Sequence, residues 1–147
     1  MEPSELQAFL IASRDGYISD RIASGDEELT ASRAADEQLT ASFPEGKPGP
    51  GHRVYRIEDD GTPIGCLWLG RAPSTDPTAW WVWDITIDEG FRGRGYGRAA
   101  MLLAEREAGA GGATTLGLNV FGSNAIARHL YDSLGYDVIA IRMSKRL

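Results

Sequence analysis

A chain of 147 residues, 42% hydrophobic and 24% charged, can bury a core of its own as one domain spanning 1–147. It is too short for a two-domain dinucleotide-dependent enzyme. The net charge of −6 is uneven: residues 1–62 hold 13 acidic and 6 basic side chains, residues 63–147 hold 8 and 9, and the acidic first half argues against non-specific nucleic-acid binding, which runs on phosphate neutralisation. Cys66 is the only cysteine, which excludes an internal disulfide and argues against a cysteine-based zinc site. With no signal-peptide pattern at the start and no apolar run near the ~20 residues of a spanning helix, the expectation is a cytoplasmic protein with no membrane, nucleic-acid or metal partner.

Taken in chain order, Ser4 and Gln7 read as a capping box opening a first helix, with Leu10, Ile11, Tyr17, Ile18 and Ile22 at near-helical spacing. Ser24-Gly25 ends it. A second helix over 26–42 stops before Pro44; its apolar face (Leu29, Ala35, Leu39, Phe43) is thin and reads as peripheral. The run 46–51, GKPGPG, holds neither helix nor strand. Strand patterns follow at 53–58 and 63–71 around Asp59-Asp60-Gly61, a hairpin turn signal. Residues 79–88 (AWWVWDITID) form a third strand, apolar on both faces and therefore central. A helix over 95–108, a strand over 114–121, a helix over 124–134 and a last strand over 137–144 complete the order α-α-β-β-β-α-β-α-β. That order specifies an α/β layered domain with a mixed sheet and helices packed on it.

The densest information lies in Ile85-Thr86-Ile87-Asp88-Glu89-Gly90-Phe91-Arg92-Gly93-Arg94-Gly95-Tyr96-Gly97. A buried strand feeds a turn of alternating glycines in which a helix begins. Free N–H groups at a helix start, with the macrodipole, attract an anion. Glycines remove the Cβ atoms that would hold a phosphate away, and Arg92, Arg94 and Arg98 add charge. Neither common nucleotide motif fits: a GxGxxG from Gly93 needs glycine where Arg98 stands, and a P-loop from Gly90 needs lysine where Tyr96 stands.

The pattern Arg92-x-x-Gly95-x-Gly97, directly after Ile85-x-Ile87, resembles the pyrophosphate-binding motif of the GNAT superfamily of acetyl-CoA-dependent N-acetyltransferases. A second stretch, Leu118-Asn119-Val120-Phe121-Gly122-Ser123-Asn124 through Tyr131 to Leu134-Gly135-Tyr136, resembles the family's other signature. Together they cover about residues 80–136 in the family's order and separation. The family's first strand has no counterpart ahead of the first helix, so the strand at 53–58 is expected to have an unpaired outer edge.

The resemblance implies a mostly antiparallel GNAT-like sheet and acetyl-CoA as co-substrate, held by Arg92, Gly93, Arg94, Gly95, Tyr96, Gly97 and Arg98, with Ile85, Ile87 and Asn119 from the strands and Asn124 and Tyr131 from the last helix. It gives Tyr131 the place beside the departing thiolate. A tyrosine of pKa about 10 protonating a thiolate of about 8.5 is uphill by roughly 2 kcal/mol, so hydrogen bonding to the developing charge is the alternative. Asp84, amid Trp80, Trp81 and Trp83, is the candidate base for the amine, the competing role being a hydrogen-bond partner within the sheet. The tryptophans read as core before pocket, His52 and His129 as surface imidazoles, and Cys66 as an inert thiol. The reaction implied is direct attack of a primary amine, of a small molecule or a protein, on the acetyl group. A non-catalytic acyl-CoA sensor is the competing reading, and an RGG-like nucleic-acid segment at 91–98 is a poor third. No motif in the first two helices identifies the acceptor. A homodimer is compatible with the family, with no surface indicated.

Overall fold

The computed structural model describes residues 1–147. Two antiparallel helices, α1 (Pro3–Ala23) and α2 (Glu28–Ser42), precede a hairpin of β1 (Arg53–Asp59) and β2 (Thr62–Arg71). β3 (Ala79–Ile87), α3 (Tyr96–Ala110), β4 (Thr115–Leu118) and α4 (Ala125–Ser133) follow. The sheet order is β1-β2-β3-β4, antiparallel except for the parallel β3–β4 pair. A parallel pair needs a crossover, and α3 supplies it.

The cap of α1 lies two residues before the expected Ser4: Pro3 is at the first helical position, and the Glu5 carboxylate accepts from the Glu2 N–H at 2.8 Å. α2 is less peripheral than its thin apolar face suggested. Ala31 and Ala35 are fully buried while Leu29 is exposed, so small side chains let α2 lie close on α1. The Arg14 guanidinium ties the two helices, donating to Asp36 at 2.6 Å and to Ser32 Oγ at 3.0 Å. At the hairpin tip, Asp60 and Gly61 have φ of 46° and 78°, the two left-handed residues that a tight turn between twisted strands requires.

The sheet divides two apolar layers. Leu67, Leu69, Trp80 and Val82 pack against Met101 and Ala104 of α3 and Tyr131 of α4. On the other face Trp68 packs with Phe9 and Phe43. Leu69 and Met101 are wholly buried, and each such side chain stabilises the fold by about 1.5–3 kcal/mol. β1 is an edge strand, as expected, and it is blunted by charge: Arg56 pairs with Glu5 and Glu58, and the Tyr55 hydroxyl donates to Glu107 at 3.1 Å.

Three further expectations differ, in the last third of the chain. The strand expected over 114–121 is only Thr115–Leu118, and Asn124 lies outside α4 as its cap. The last strand over 137–144 does not form: residues 137–147 are exposed and make no backbone hydrogen bond. Its alternation is that of a strand, but its own chain pairs no edge with it.

Candidate acetyl-CoA site

The site begins with a break in sheet register. Between Trp68/Asp84 and Leu69/Val82 the β2–β3 pairing slips, leaving Trp83 as the extra residue of a bulge. Before the bulge, Val82 faces the α3 layer. After it, Ile85 rejoins that layer, while Asp84, opposite Trp68, is turned to the α1–α2 face. Simple alternation would have put Asp84 on the same face as Val82. The bulge also coincides with the end of the parallel pairing: β3 and β4 are bonded from Ala79↔Thr115 to Val82↔Leu118 and no further, although β3 runs on to Ile87. The two strands therefore part beyond Val82. Ile85 and Ile87, whose outward backbone groups have lost their β4 partner, border the gap on one side; Asn119 follows β4 on the other.

At the foot of the gap lies the glycine turn. Gly93 and Gly95 have φ of 73° and 84°, and Gly95 is the N-cap of α3. A Cβ added at either would meet no other atom within 4 Å, so the turn opens on free space. The N–H groups of the first helical turn, from Tyr96 to Arg98, have no intrahelical acceptor. The Arg92 side chain donates to the Ile87 carbonyl at 2.8 Å, Arg94 lies over the Phe91 ring at 5.7 Å, and Arg98 donates to the Ser133 hydroxyl. All three partners are neutral, so the three positive charges are held in place without being cancelled. The Tyr96 hydroxyl donates to Asp59, pinning the turn to the hairpin. Gly97 lets α3 approach α4: a Cβ there would lie 3.4 Å from the Leu130 side chain. Open amides, a left-handed cradle and uncancelled guanidiniums fit a pyrophosphate, whose charge they would share.

Tyr131, on α4, packs in the cluster with Leu67, Leu69 and Val82 and is 9% exposed. Burial, and then the charge of Asp84, push its hydroxyl pKa up. Asp84 is itself pushed up by burial, against the smaller opposing influence of the Ser13 and Thr86 hydroxyls; Thr86 donates to it at 3.3 Å. These two titratable groups thus lie on opposite faces of the sheet, near enough for the Asp84 charge to bear on the Tyr131 hydroxyl. Asn124 and Tyr131 were expected on one helical stripe, but Asn124 is the cap, its Oδ1 accepting from the Ala127 N–H at 3.1 Å. Its amide nitrogen and the second lone pair of Oδ1 are left to a ligand.

Trp68 and Trp80 are core, while Trp81 and Trp83 are half-buried. Trp81 lies over Gly117, and Trp83 stacks on Trp68 at 5.4 Å. His52 is not a surface imidazole. Its Nδ1 accepts from Trp68 Nε1 at 3.0 Å, and burial lowers its pKa. With Nδ1 so engaged, the neutral ring carries its proton on Nε2 and has no lone pair for an amine proton. His129 is exposed as expected, and the Cys66 thiol is pushed up by burial. Phe91 and Asp59, the holders of Arg94 and Tyr96, were read in the sequence only as parts of the glycine turn and the hairpin, since neither contact follows from spacing along one element.

Known proteins share this fold. The sequence profile of the acetyltransferase (GNAT) family matches residues 17–136. The N-acetyltransferase YdgE of Bacillus subtilis is 30% identical over all of this chain and 95% of its own. The crystal structure of the acetyltransferase YycN of Bacillus subtilis superposes with a TM-score of 0.89 at 26% identity, covering 100% of this chain and 95% of that one. The aminoglycoside N-acetyltransferase AAC(6′)-Iy, solved in complex with CoA, shares the fold at a TM-score of 0.58 and 16% identity, over 78% of this chain and 89% of its own. The chain belongs to the acetyltransferase (GNAT) family, and is an acetyl-CoA-dependent acyltransferase.

Proposed function

We propose that this protein moves an acetyl group from acetyl-CoA to a primary amine of a small molecule or a protein, in one direct attack and with no covalent enzyme intermediate. The observation that carries this reading is the parting of β3 and β4 beyond Val82, with the Asp84 carboxyl on one face of the sheet and the Tyr131 hydroxyl on the other. Bound acetyl-CoA would supply a thioester carbon for the amine to attack. Arg92, Arg94, Arg98 and the amides of the 93–98 turn would hold its pyrophosphate, and the backbone of Ile85 and Ile87 with Asn119 and Asn124 its pantetheine arm.

Asp84 would take the proton that the attacking amine loses. A protonated alkylamine of pKa about 10.4 must give up roughly 4.6 kcal/mol to be neutral at pH 7, and a carboxylate raised by burial is a better acceptor than an ordinary one. The acidic α1–α2 side of the sheet, on which Asp84 lies, suits a cationic acceptor. Tyr131 is a poor proton donor because its pKa is raised further. Its contribution is a hydrogen bond to sulfur as negative charge develops there.

Tyr131→Phe is expected to lower kcat roughly 10²-fold, the order measured for loss of one such donor, with KM for acetyl-CoA unchanged. Steady-state kinetics with an amine acceptor test this. An unchanged kcat removes Tyr131 from the mechanism.

A further inference from the structure

The α1–α2 face of the sheet carries a feature that acetyl transfer alone does not require. Trp81 stands between Trp80 and Val82, which both pack on the α3 layer, so its own side chain points to the opposite face. The bulge adds Trp83 to that same face, where it stacks on Trp68 with ring centres 5.4 Å apart. Two indoles and then the candidate base Asp84 thus follow one another along one side of β3.

Neighbouring glycines clear room there. Gly117, paired with Trp81 in β4, lies under the indole, and a Cβ at that position would overlap the ring. Gly70, paired with Trp81 in β2, gives its space to His52, which a Cβ would meet at 2.6 Å. Trp83 is fixed in place, its Nε1 donating to the Arg71 carbonyl at 3.1 Å and one ring face lying on Trp68. The two indoles therefore splay from β3, Trp81 towards β4 and Trp83 towards β2, and both stay half-buried. Arg53 and Arg71 lie over Trp80, but no guanidinium of the protein lies over Trp81 or Trp83. The charge beside them is negative. Arg14 and Arg21 of α1 are already paired, with Asp36 and Asp26, while Asp20 bears on Asp84. Indoles that lead to carboxylates suit an ammonium group carried on hydrocarbon, with the charge at Asp84 and the chain against the rings.

We propose that Trp81 and Trp83 select the acceptor, a primary amine on an unbranched alkyl chain that lies along the two indoles. This inference rests on the acetyl-transfer reading above. From Asp84 back to Trp81 is three residues of strand, roughly 10 Å, longer than the four-carbon stem of a lysine. A free alkylamine can fill that length, whereas a protein lysine brings its backbone in before the chain reaches Trp81.

Initial rates with n-alkylamines from ethylamine to octylamine, at saturating acetyl-CoA, test the proposal. The series varies hydrocarbon while leaving the basicity of the amine nearly constant. kcat/KM is expected to rise roughly two- to fourfold per methylene, through KM rather than kcat, and to go on rising past butylamine. Lysine in a blocked tripeptide is expected to react no faster than butylamine. Trp83→Ala and Trp81→Ala should each flatten the rise without changing calorimetric affinity for acetyl-CoA, and Trp83→Phe should keep it. Trp81→Ala leaves the Trp68 stack intact, so it serves if Trp83→Ala fails to fold. A flat series in the wild type, a rise that survives Trp81→Ala, or a lysyl peptide that outpaces hexylamine overturns the proposal and leaves acetyl transfer standing. Bound acetyl-CoA with no turnover of any amine overturns the acetyl-transfer reading, and this one with it.

Discussion

Asp84→Asn is expected to lower kcat by roughly 10² or more while raising the melting temperature at neutral pH. The two effects share one cause. Burial on the α1–α2 face pushes the Asp84 pKa above its ordinary value, so the ionised carboxylate required of a base is held at a cost to the fold. Between the unfolded value and the raised folded value, the folded state holds more protons than the unfolded one. Stability therefore falls as pH rises through that window, and the deficit is complete above it. A neutral amide of the same shape escapes the penalty, so the stability difference between variant and wild type should grow from acid to neutral pH. Thermal melts across that range, with turnover at pH 7, check both halves. A purely structural Asp84 predicts a lower melting temperature instead, and unchanged turnover would end its role as base.

Gly95→Val is expected to weaken acetyl-CoA binding by roughly 10²–10³, the loss of two charge-assisted hydrogen bonds. Gly95 caps α3 at φ 84°, where a β-branched side chain is strained by about 1–3 kcal/mol. The added Cβ itself meets no other atom within 4 Å, so the cost falls on the backbone conformation. The effect of the substitution is to pull the first-turn amides out of line and to place side chain in the space above the turn. Gly90→Ala is the matched control, since Gly90 is exposed, is not in the left-handed region and has equally open surroundings. Calorimetric titration of both variants with acetyl-CoA measures the difference. Equal affinities would mean that the cofactor is not held by this turn.

Much of this was legible in the sequence because local chemistry dictates it. The turn at 92–97 needs glycine for its left-handed residues and free amides for its anion, and no other requirement explains both. Asp59-Asp60-Gly61 likewise specified its hairpin. The facing of Asp84 was not legible, because a bulge resets the alternation of β3 and only the register with β2 reveals it. His52 reads as an isolated imidazole until the hairpin brings Trp68 across to it, 16 residues away in sequence. The spacing of Asn124 and Tyr131 is right for one helical stripe, yet a cap residue lies outside the helix and spends its oxygen there. The segment 137–144 has the pattern of a strand, but pattern alone names no edge for it to join.

The measurement that bears most directly on the cofactor site is a thermal-shift titration of the wild type with acetyl-CoA, with NADH and ATP as controls. Ligand at 100 times its dissociation constant adds about 2.7 kcal/mol to stability, which raises the melting temperature of a domain this size by several degrees. A shift with acetyl-CoA and none with the controls is the predicted result. No shift at millimolar acetyl-CoA, or an equal shift with all three, would contradict a pyrophosphate-and-pantetheine site at the parting of β3 and β4.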